Sequence, residues 1–231
     1  MNNRRLGILV GMRWEANTLG PLRRTDDLVW LVSGPGPERA ARAARTLVEQ
    51  GASALLSWGV ATGLDPLLSP GSLLIPEVVH GRDGERLRPD ARWRAAVLAQ
   101  VGEVARGELA ETAIVLQDAS ARRVLRASTG AVAADMESAA VLRVAHSFGM
   151  PALVIRVVLD ITTTDLPAGW AAAVTPEGRI AVRRIAAQLL HPANWAPALA
   201  LAQARRQAAH RLMTTAARGF DALAGEGATA T

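Results

Sequence analysis

Acidic side chains that follow predicted strands are the residues of this chain best placed for chemistry. Glu15 follows the first apolar run, Asp135 and Glu137 open a predicted helix after a short run, and Asp160 ends the last run. In an open α/β sheet, a ligand binds beyond the carboxyl ends of the strands, where these carboxylates would meet. They therefore mark a candidate ligand site at that edge of the predicted sheet.

Glycine-bearing turns follow the same predicted strands. Gly11 ends the first strand, Ser33-Gly34-Pro35-Gly36 follows the second, and Gly59-Val60-Ala61-Thr62-Gly63 follows the third. Because glycine has no side chain, such turns let backbone N–H groups approach an anion or a sugar closely. We expect these turns to line the candidate site.

Each of these features also has an ordinary structural interpretation. An Asp after a strand is often a turn or cap residue, and acids at a helix start balance the helix dipole. Glu15 by itself is typical of a solvated helix surface. The turn Ser33–Gly36 is a poor dinucleotide fingerprint, because Arg39 occupies the position of the third glycine. The features gain weight only in combination.

The composition excludes several classes of reaction. The chain has no Cys and no Tyr, and all 26 of its basic residues are Arg. These absences exclude disulfides, thiolate nucleophiles, Schiff-base catalysis and the P-loop lysine. The four His are dispersed along the chain, so we expect no metal site and no cofactor.

The net charge of +5 raises the question of a nucleic-acid partner. The arginines are dispersed, however, mostly as pairs expected on helix surfaces, such as Arg4-Arg5, Arg122-Arg123 and Arg183-Arg184. This dispersion favours a solvated surface over nucleic-acid binding. Attraction to an anionic membrane remains an alternative.

Apolar runs alternate with helical patterns along the chain, which is typical of an α/β fold with a sheet covered by helices on both sides. The third predicted strand covers Ala52–Gly59 and leads into a loop from Val60 to Pro66. A later strand is predicted over Thr112–Leu116, and a helix over Met136–Phe148. The sequence thus predicts a three-layer α/β architecture.

The domain organisation is expected to be simple. Residues 1–224 would form one domain, and residues 225–231 would form a disordered tail. Within the domain, a helical extension over about 178–224 would consist of two helices that are separated at His191-Pro192. The uncharged segment Leu189–Ala204 has 16 residues and two prolines, and we expect it to be too short and too broken to span a membrane. We expect no secretory signal and therefore a cytoplasmic protein.

Segments spread over residues 6–165 resemble, in the right order, the motifs of the nucleoside phosphorylase superfamily, in particular its methylthioadenosine/S-adenosylhomocysteine nucleosidase branch. They are the opening segment Leu6–Glu15, the turn Ser33–Gly36, the loop Gly59–Leu64, the strand Pro70–Pro76, the helix start Ala134–Ala140 and the strand end Arg156–Asp160. The resemblance implies a mixed sheet flanked by helices and a homodimer.

A narrower resemblance involves the second half of the chain. Three segments resemble the C-terminal region of the hopanoid-associated phosphorylases: Leu166-Pro167, Pro176–Ile180 and Leu189–Pro192 before a long Arg/Ala helix. In the first half of the chain, Gly63–Pro66 also resembles that family. That resemblance implies release of adenine from adenosylhopane to give ribosyl-hopane. Trp170, Trp195 and the stretch Leu189–Ala204 would then line an apolar channel or touch the inner membrane peripherally, or simply pack the helices.

The resemblance also implies a role for each site residue. Asp160 would be the general acid at adenine N7, and Glu137, with Met136 beside it, would bind the ribose hydroxyls as an anion. Glu15 would hold the attacking water as a base. The turns around the acceptor and substrate would be formed by Gly11, Ser33, Gly34, Gly59, Val60 and Ala61.

The chain departs from the family pattern at several positions. Val60 and Leu159 replace serines that help to hold phosphate or water and to support the Asp, and no aromatic residue lies near Gln117 to stack on the base. Val60 favours water over phosphate as acceptor. The alternatives are a methylthioadenosine/S-adenosylhomocysteine nucleosidase, a general purine nucleoside phosphorylase, and a nucleoside- or lipid-binding module without catalysis.

Overall fold

The computed structural model describes residues 5–24, 27–116, 118–160, 175, 177–179, 181 and 190–224. Within them, nine strands form one mixed sheet. The strands are β1 Arg5–Val10, β2 Leu28–Val32, β3 Ala52–Gly63, β4 Leu73–Leu74, β5 Val79–His80, β6 Arg86–Leu87, β7 Leu109–Glu111, β8 Ala133–Asp135 and β9 Ala152–Asp160.

The helices cover both faces of this sheet. They are α1 Arg13–Ala16, α2 Pro37–Glu49, α3 Ala91–Val101, α4 Ala119–Thr129, α5 Ser138–Ser147, α6 Trp195–Arg218 and α7 Phe220–Ala224, with 3-10 segments at Asn17–Arg24 and Pro192–Asn194. Asp90 and Asp118 cap α3 and α4 by accepting hydrogen bonds from Trp93 N and Ala121 N, both at 2.7 Å. The predicted first helix of the C-terminal extension falls largely outside the described residues, as do Trp170 and the tail 225–231.

The central strands run in parallel and point their carboxyl ends the same way. The order across the sheet is β2-β1-β3-β8-β7-β5-β6, and β9 pairs with β3 and β4. β2, β1, β3 and β9 are mutually parallel neighbours, whereas β8 runs antiparallel to β3 and β4 antiparallel to β9. The predicted mixed α/β sheet is therefore confirmed.

Side chains that alternate along the central strands form two apolar layers. Ile8, Leu56 and Ile155 pack on one face, with residues of α3 and α6, and Leu9 and Val154 pack on the other, with residues of α2 and α5. Burying both faces of the parallel strands explains their nearly continuous apolar sequences. No described helix combines the length and apolarity that crossing a membrane requires.

The third strand is longer than the sequence predicts. The segment from Val60 to Gly63, expected to be a loop, continues β3 because it leaves β1 and pairs with β8, Thr62 opposite Ala134 and Gly63 opposite Ala133. The glycines suggested a turn, but two neighbouring strands satisfy the backbone hydrogen bonds here. This extension brings β8 and β9 to opposite sides of Thr62.

Two further predicted boundaries are wrong. The strand predicted at Thr112–Leu116 lies instead at Leu109–Glu111; the Thr112 hydroxyl donates to Ile114 O and accepts from Ile114 N, which closes a turn. The helix predicted from Met136 begins at Ser138, because Asp135 ends β8 and its carboxylate accepts the Ser138 N–H at 3.1 Å.

Candidate active site

Glu15 is buried under the carboxyl ends of β1 and β3. Its side chain reaches back from α1, where Oε2 accepts a hydrogen bond from Met12 N at 2.7 Å and Oε1 accepts one from Val60 N at 3.0 Å. Only 2% of the residue is exposed. Burial raises the pKa of Glu15 to about 7, although Arg156 and the backbone N–H groups oppose the rise. Glu15 is therefore not the solvated helix residue that its position alone suggests.

Two glycines make room for this carboxylate. A Cβ on Gly59 would lie 2.6 Å from Glu15 Oε1, closer than real Cβ contacts allow. A Cβ on Gly11 would lie 3.3 Å from the Glu137 carboxyl carbon and 3.5 Å from Glu15 Oε2. Gly11 thus lies against both carboxyl groups, which shows that the two acids converge at the end of β1.

Glu137 lies between the end of β8 and the start of α5. Its Oε1 accepts a hydrogen bond from Gly36 N at 3.1 Å, and its Oε2 lies 4.0 Å from an Arg156 guanidinium nitrogen. Burial raises the pKa of Glu137 to about 8; Asp135 and Glu15 also raise it, and Arg156 lowers it. The buried site therefore favours the protonated form of Glu137 more than water does.

Arg156 is the buried cation beneath these acids. Its Nε donates to Asp135 Oδ2 at 2.6 Å and its Nη2 donates to Ser57 Oγ at 2.7 Å. The Ser138 hydroxyl also donates to Asp135 Oδ2 at 2.6 Å. Asp135 is therefore an internal counter-ion of Arg156 that also accepts the first N–H of α5, and it fixes the position of Arg156 beneath the two glutamates.

Asp160 lies two strands away from Glu137, on the other side of β3. Its backbone pairs with Thr62 of β3, and its Oδ2 accepts a hydrogen bond from Arg122 Nη2 at 2.7 Å. Burial raises the pKa of Asp160, while Arg122 and the Thr62 side chain act in the opposite direction. Neighbouring strands are about 4.8 Å apart, so the backbones of β8 and β9 are separated by about 10 Å at this level.

The remaining predicted residues lie around these carboxylates. The Ser33 hydroxyl donates to Gly34 O at 2.7 Å, and Gly34 and Gly36 have φ values of +74° and +114°, which non-glycine residues rarely adopt. This turn delivers the Gly36 N–H to Glu137. Ala61 is buried within β3 and Met136 is half-buried beside Glu137.

A short segment of the C-terminal half covers the end of β1. Arg13 N donates to Gly178 O at 3.1 Å, and a Cβ on Gly178 would lie 2.5 Å from Gly11 O. Gly178 has φ +69°, so both the backbone conformation and the close approach require glycine. The sequence pattern attaches no site role to this glycine.

Arg122 is the main site residue whose position the sequence did not predict. The pair Arg122-Arg123 is expected on a helix surface, yet Arg122 is fully buried and only Arg123 is exposed. A signal exists in hindsight: Arg122 precedes the partly buried Leu125 by three residues, which places both on one face of α4. Among the described residues, no cluster of His, Asp or Glu is arranged to hold a metal ion.

Comparisons with known proteins agree with this architecture. The family model described as the Phosphorylase superfamily matches residues 18–191, most of the chain. No curated protein matches the chain by sequence.

Solved nucleosidase structures share the fold. A Helicobacter pylori 5′-methylthioadenosine/S-adenosylhomocysteine nucleosidase superposes with a TM-score of 0.73 at 16% identity, over 96% of this chain and 99% of that chain. The H. pylori futalosine hydrolase gives 0.62 at 19% identity, over 68% and 88%. A Colwellia psychrerythraea nucleosidase in complex with adenine gives 0.62 at 21%, over 68% and 83%. At these identities the likeness establishes the fold.

Proposed function

The chain belongs to the Phosphorylase superfamily, and from this premise and the geometry of the site we propose that it cleaves the N-glycosidic bond of an adenine nucleoside. Membership confirms, at the level of the superfamily, the prediction of a purine nucleosidase or phosphorylase type of enzyme. The nucleoside and the acceptor belong to the proposal.

The observation that carries the proposal is the arrangement of three carboxyl groups, of which two are buried and the third, Asp160, is 12% exposed. Glu15 and Glu137 converge at Gly11, and Asp160 lies across β3 from them. The spacing of about 10 Å between the β8 and β9 backbones, on either side of β3, suits a ribose on the Glu137 side and a base on the Asp160 side of a ligand above the strand ends. Burial raises the pKa of all three acids, as acid–base chemistry near neutral pH requires.

Asp160 acts as the general acid in this proposal. Its proton moves to N7 of the adenine while the electron pair of the C1′–N9 bond passes into the purine, so that adenine leaves neutral. The raised pKa of Asp160 favours the protonated form that this step needs. General acid catalysis of this kind contributes about 10²–10⁴-fold.

Glu137 binds the ribose hydroxyls. Ribose O–H groups that donate to its carboxyl oxygens favour the charged form, so substrate binding lowers a pKa that is about 8 in the unliganded site. The resulting carboxylate lies beside the sugar as C1′ gains positive charge, and it stabilises that charge.

Glu15 prepares the acceptor. With a pKa of about 7, it takes a proton from water as the oxygen attacks C1′. The Val60 N–H, at the position expected to hold phosphate, donates to Glu15 instead. A phosphate dianion at this point would face the Glu15 carboxylate, so we propose water as the acceptor.

The decisive test replaces Asp160 by Asn. We expect Asp160→Asn to lower the rate of adenine release by about 10²–10⁴-fold, because the amide cannot give a proton to N7. Adenine release is followed by absorbance, and nucleoside binding by calorimetry, which should be largely unchanged. Full release by the variant would refute the role of Asp160, and no release by the unmodified protein would refute the proposed function.

For the substrate, we propose an adenine nucleoside with a hopanyl group at C5′, converted to ribosyl-hopane. The support is the resemblance of the C-terminal segments and a group of exposed apolar side chains before and at the start of the long helix: Leu190 is 80% exposed, Trp195 60% and Leu199 72%. Such side chains suit a lipid substituent or peripheral contact with a membrane surface. A homodimer and a location in the cytoplasm or at the inner membrane complete this proposal.

Activity on three different nucleosides distinguishes the alternative functions. Adenosylhopane, methylthioadenosine and inosine are each incubated with the protein, with and without phosphate. We expect adenine release from adenosylhopane at a rate that does not depend on phosphate. Turnover of methylthioadenosine alone would replace the hopanoid substrate, and phosphate-dependent turnover of inosine would indicate a phosphorylase. Nucleoside binding without any turnover would indicate a binding module.

A further inference from the structure

Arg122 is a fully buried cation on a helix whose other side chains are at least partly accessible. It lies in the first turn of α4, and it is the one described residue of that helix that is buried. A charge removed from water is costly unless it is paired and hydrogen-bonded. The position of Arg122 therefore requires a counter-charge in the interior.

The guanidinium is held from two directions. Its Nε and Nη2 donate to Leu116 O at 3.1 and 2.9 Å, which fixes the plane of the group against the segment before α4. Nη2 also donates at 2.7 Å to Oδ2 of Asp160, the last residue of β9. The pair joins a fully buried side chain to one that is 12% exposed, so solvent screens it little.

Among the described residues, the groups that face the Asp160 carboxyl are few. Arg122 approaches it from α4, and the Thr62 side chain from β3. The preceding residue, Leu159, is apolar and offers no hydrogen bond from its side chain. Arg122 is thus the described charged group that sets both the orientation and the electrostatics of Asp160.

We infer that Arg122 is a positioning residue of the reaction, which holds one oxygen of Asp160 so that the other faces the base, and which stabilises the carboxylate left when the proton is transferred. This inference rests on the proposed function, since it assigns the support of the proposed acid. In the step, the proton leaves Asp160 for adenine N7 and the C1′–N9 electron pair enters the purine. The negative charge that forms on Asp160 lies 2.7 Å from a fixed guanidinium.

The chain offers a matched control for this inference. Arg122→Met removes the charge and keeps approximately the length of the side chain, whereas Arg122→Lys keeps the charge without the planar guanidinium. The control is Arg123→Met, which removes an exposed charge from the same turn of the helix. We expect Arg122→Met to lower kcat by about 10–100-fold, with KM changed less than about threefold, because the effect falls on the transition state. Arg122→Lys should recover part of kcat, and Arg123→Met should behave as the unmodified protein.

The pH profile of kcat distinguishes an electrostatic role of Arg122 from a purely structural one, which would leave the pKa values of the profile unchanged. Activity of a general acid falls as pH rises through its pKa, and loss of the guanidinium raises the pKa of Asp160. The alkaline limb of kcat should therefore move to higher pH in Arg122→Met and stay in place in Arg123→Met. Should Arg122→Met fail to fold, Arg122→Gln, which removes the charge but keeps a hydrogen-bond donor, carries the same comparison.

The outcomes separate the two ideas. An active unmodified protein in which Arg122→Met keeps its kcat, or loses kcat without any shift of the alkaline limb, overturns the role of Arg122 and leaves the proposed function standing. An unmodified protein that releases adenine from no nucleoside overturns the proposed function, and the inference with it. Partial recovery by Arg122→Lys, together with a shifted limb in Arg122→Met, supports the inference.

Discussion

At the scale of single residues, the site works through acids whose ionisation is set by burial. Glu15 and Glu137 are 2% and 8% exposed, and each accepts backbone N–H groups while lying near Arg156. Desolvation outweighs these favourable contacts, so both pKa values lie near neutrality rather than near 4.5. Small changes in pH or in ligand occupancy therefore change the charge of the site.

The pH dependence of the free enzyme tests this directly. If Glu15 is the base, kcat/KM should rise with pH through about 7, because only the ionised carboxylate takes a proton from water. Initial rates at saturating and sub-saturating nucleoside between pH 5 and 9 give the profile. Glu15→Gln should abolish the activity, and a flat profile across this range would argue against Glu15 as the base.

At the scale of elements, the site depends on how closely β1, β3 and the turn after β2 approach one another. Gly59 gives the space that Glu15 Oε1 occupies, and the Gly36 N–H meets Glu137. Arg156 joins β9 to β8 and β3 through Asp135 and Ser57. The positions of the two glutamates thus depend on the approach of distant backbone segments and on a buried ion pair, in addition to the local Met12 N–H.

Replacement of Gly59 by Ala should disturb chemistry more than folding. The new Cβ would lie 2.6 Å from Glu15 Oε1 and would push the carboxyl group out of its position. We expect a loss of about 10²-fold or more in kcat/KM, since an error of about 1 Å in placement costs this much. Gly84→Ala is the control: nothing lies within 4 Å of its added Cβ, and although φ +78° makes it slightly destabilising, activity should persist.

The buried Arg156–Asp135 ion pair should contribute more to the free energy of unfolding than an exposed ion pair does. Arg156→Met leaves Asp135 buried and unpaired, so the free energy of unfolding should fall by about 3–5 kcal/mol. Arg86→Met, which removes a 55%-exposed partner of Glu108, should cost no more than about 1 kcal/mol. Urea unfolding followed by circular dichroism compares the two. Equal losses would mean that the Arg156 pair contributes no more than a surface contact.

At the scale of the whole molecule, the raised carboxyl pKa values make global stability depend on pH. A carboxyl group whose pKa is higher in the folded than in the unfolded chain stabilises the fold below its unfolded pKa, and this contribution is lost as pH rises through the folded value. For Glu137 the window runs from about 4.5 to about 8. The fold should therefore lose stability across this window as pH rises.

Glu137→Gln should remove this loss. The amide keeps an acceptor for the Gly36 N–H but never ionises. The stability of the variant should therefore increase relative to that of the unmodified protein as the pH rises from 5 to 8.5. We expect a relative gain of at least about 1 kcal/mol, which corresponds to about 2–4 °C in Tm for a domain of this size. Thermal unfolding at both pH values measures it, and an unchanged difference in Tm would contradict the assigned cause.

Much of this molecule was predictable from its amino-acid sequence. Apolar runs that alternate with helical patterns and glycine turns predicted an α/β sheet covered by helices. This works because parallel strands that are buried on both faces have nearly continuous apolar sequences. The ordered motifs also selected Glu15, Glu137 and Asp160 among 21 acidic residues. Their proposed roles await the experiments above.

Other features were decided by the tertiary structure. The extension of β3 through Gly63, the burial of Arg122 against Asp160 and the raised pKa of Glu137 depend on partners far away in the chain. Strand pairing and desolvation are properties of what surrounds a residue in space, and local sequence does not encode them by itself. The sequence thus determined which side chains are available for chemistry, and the packing determined their charge and their partners.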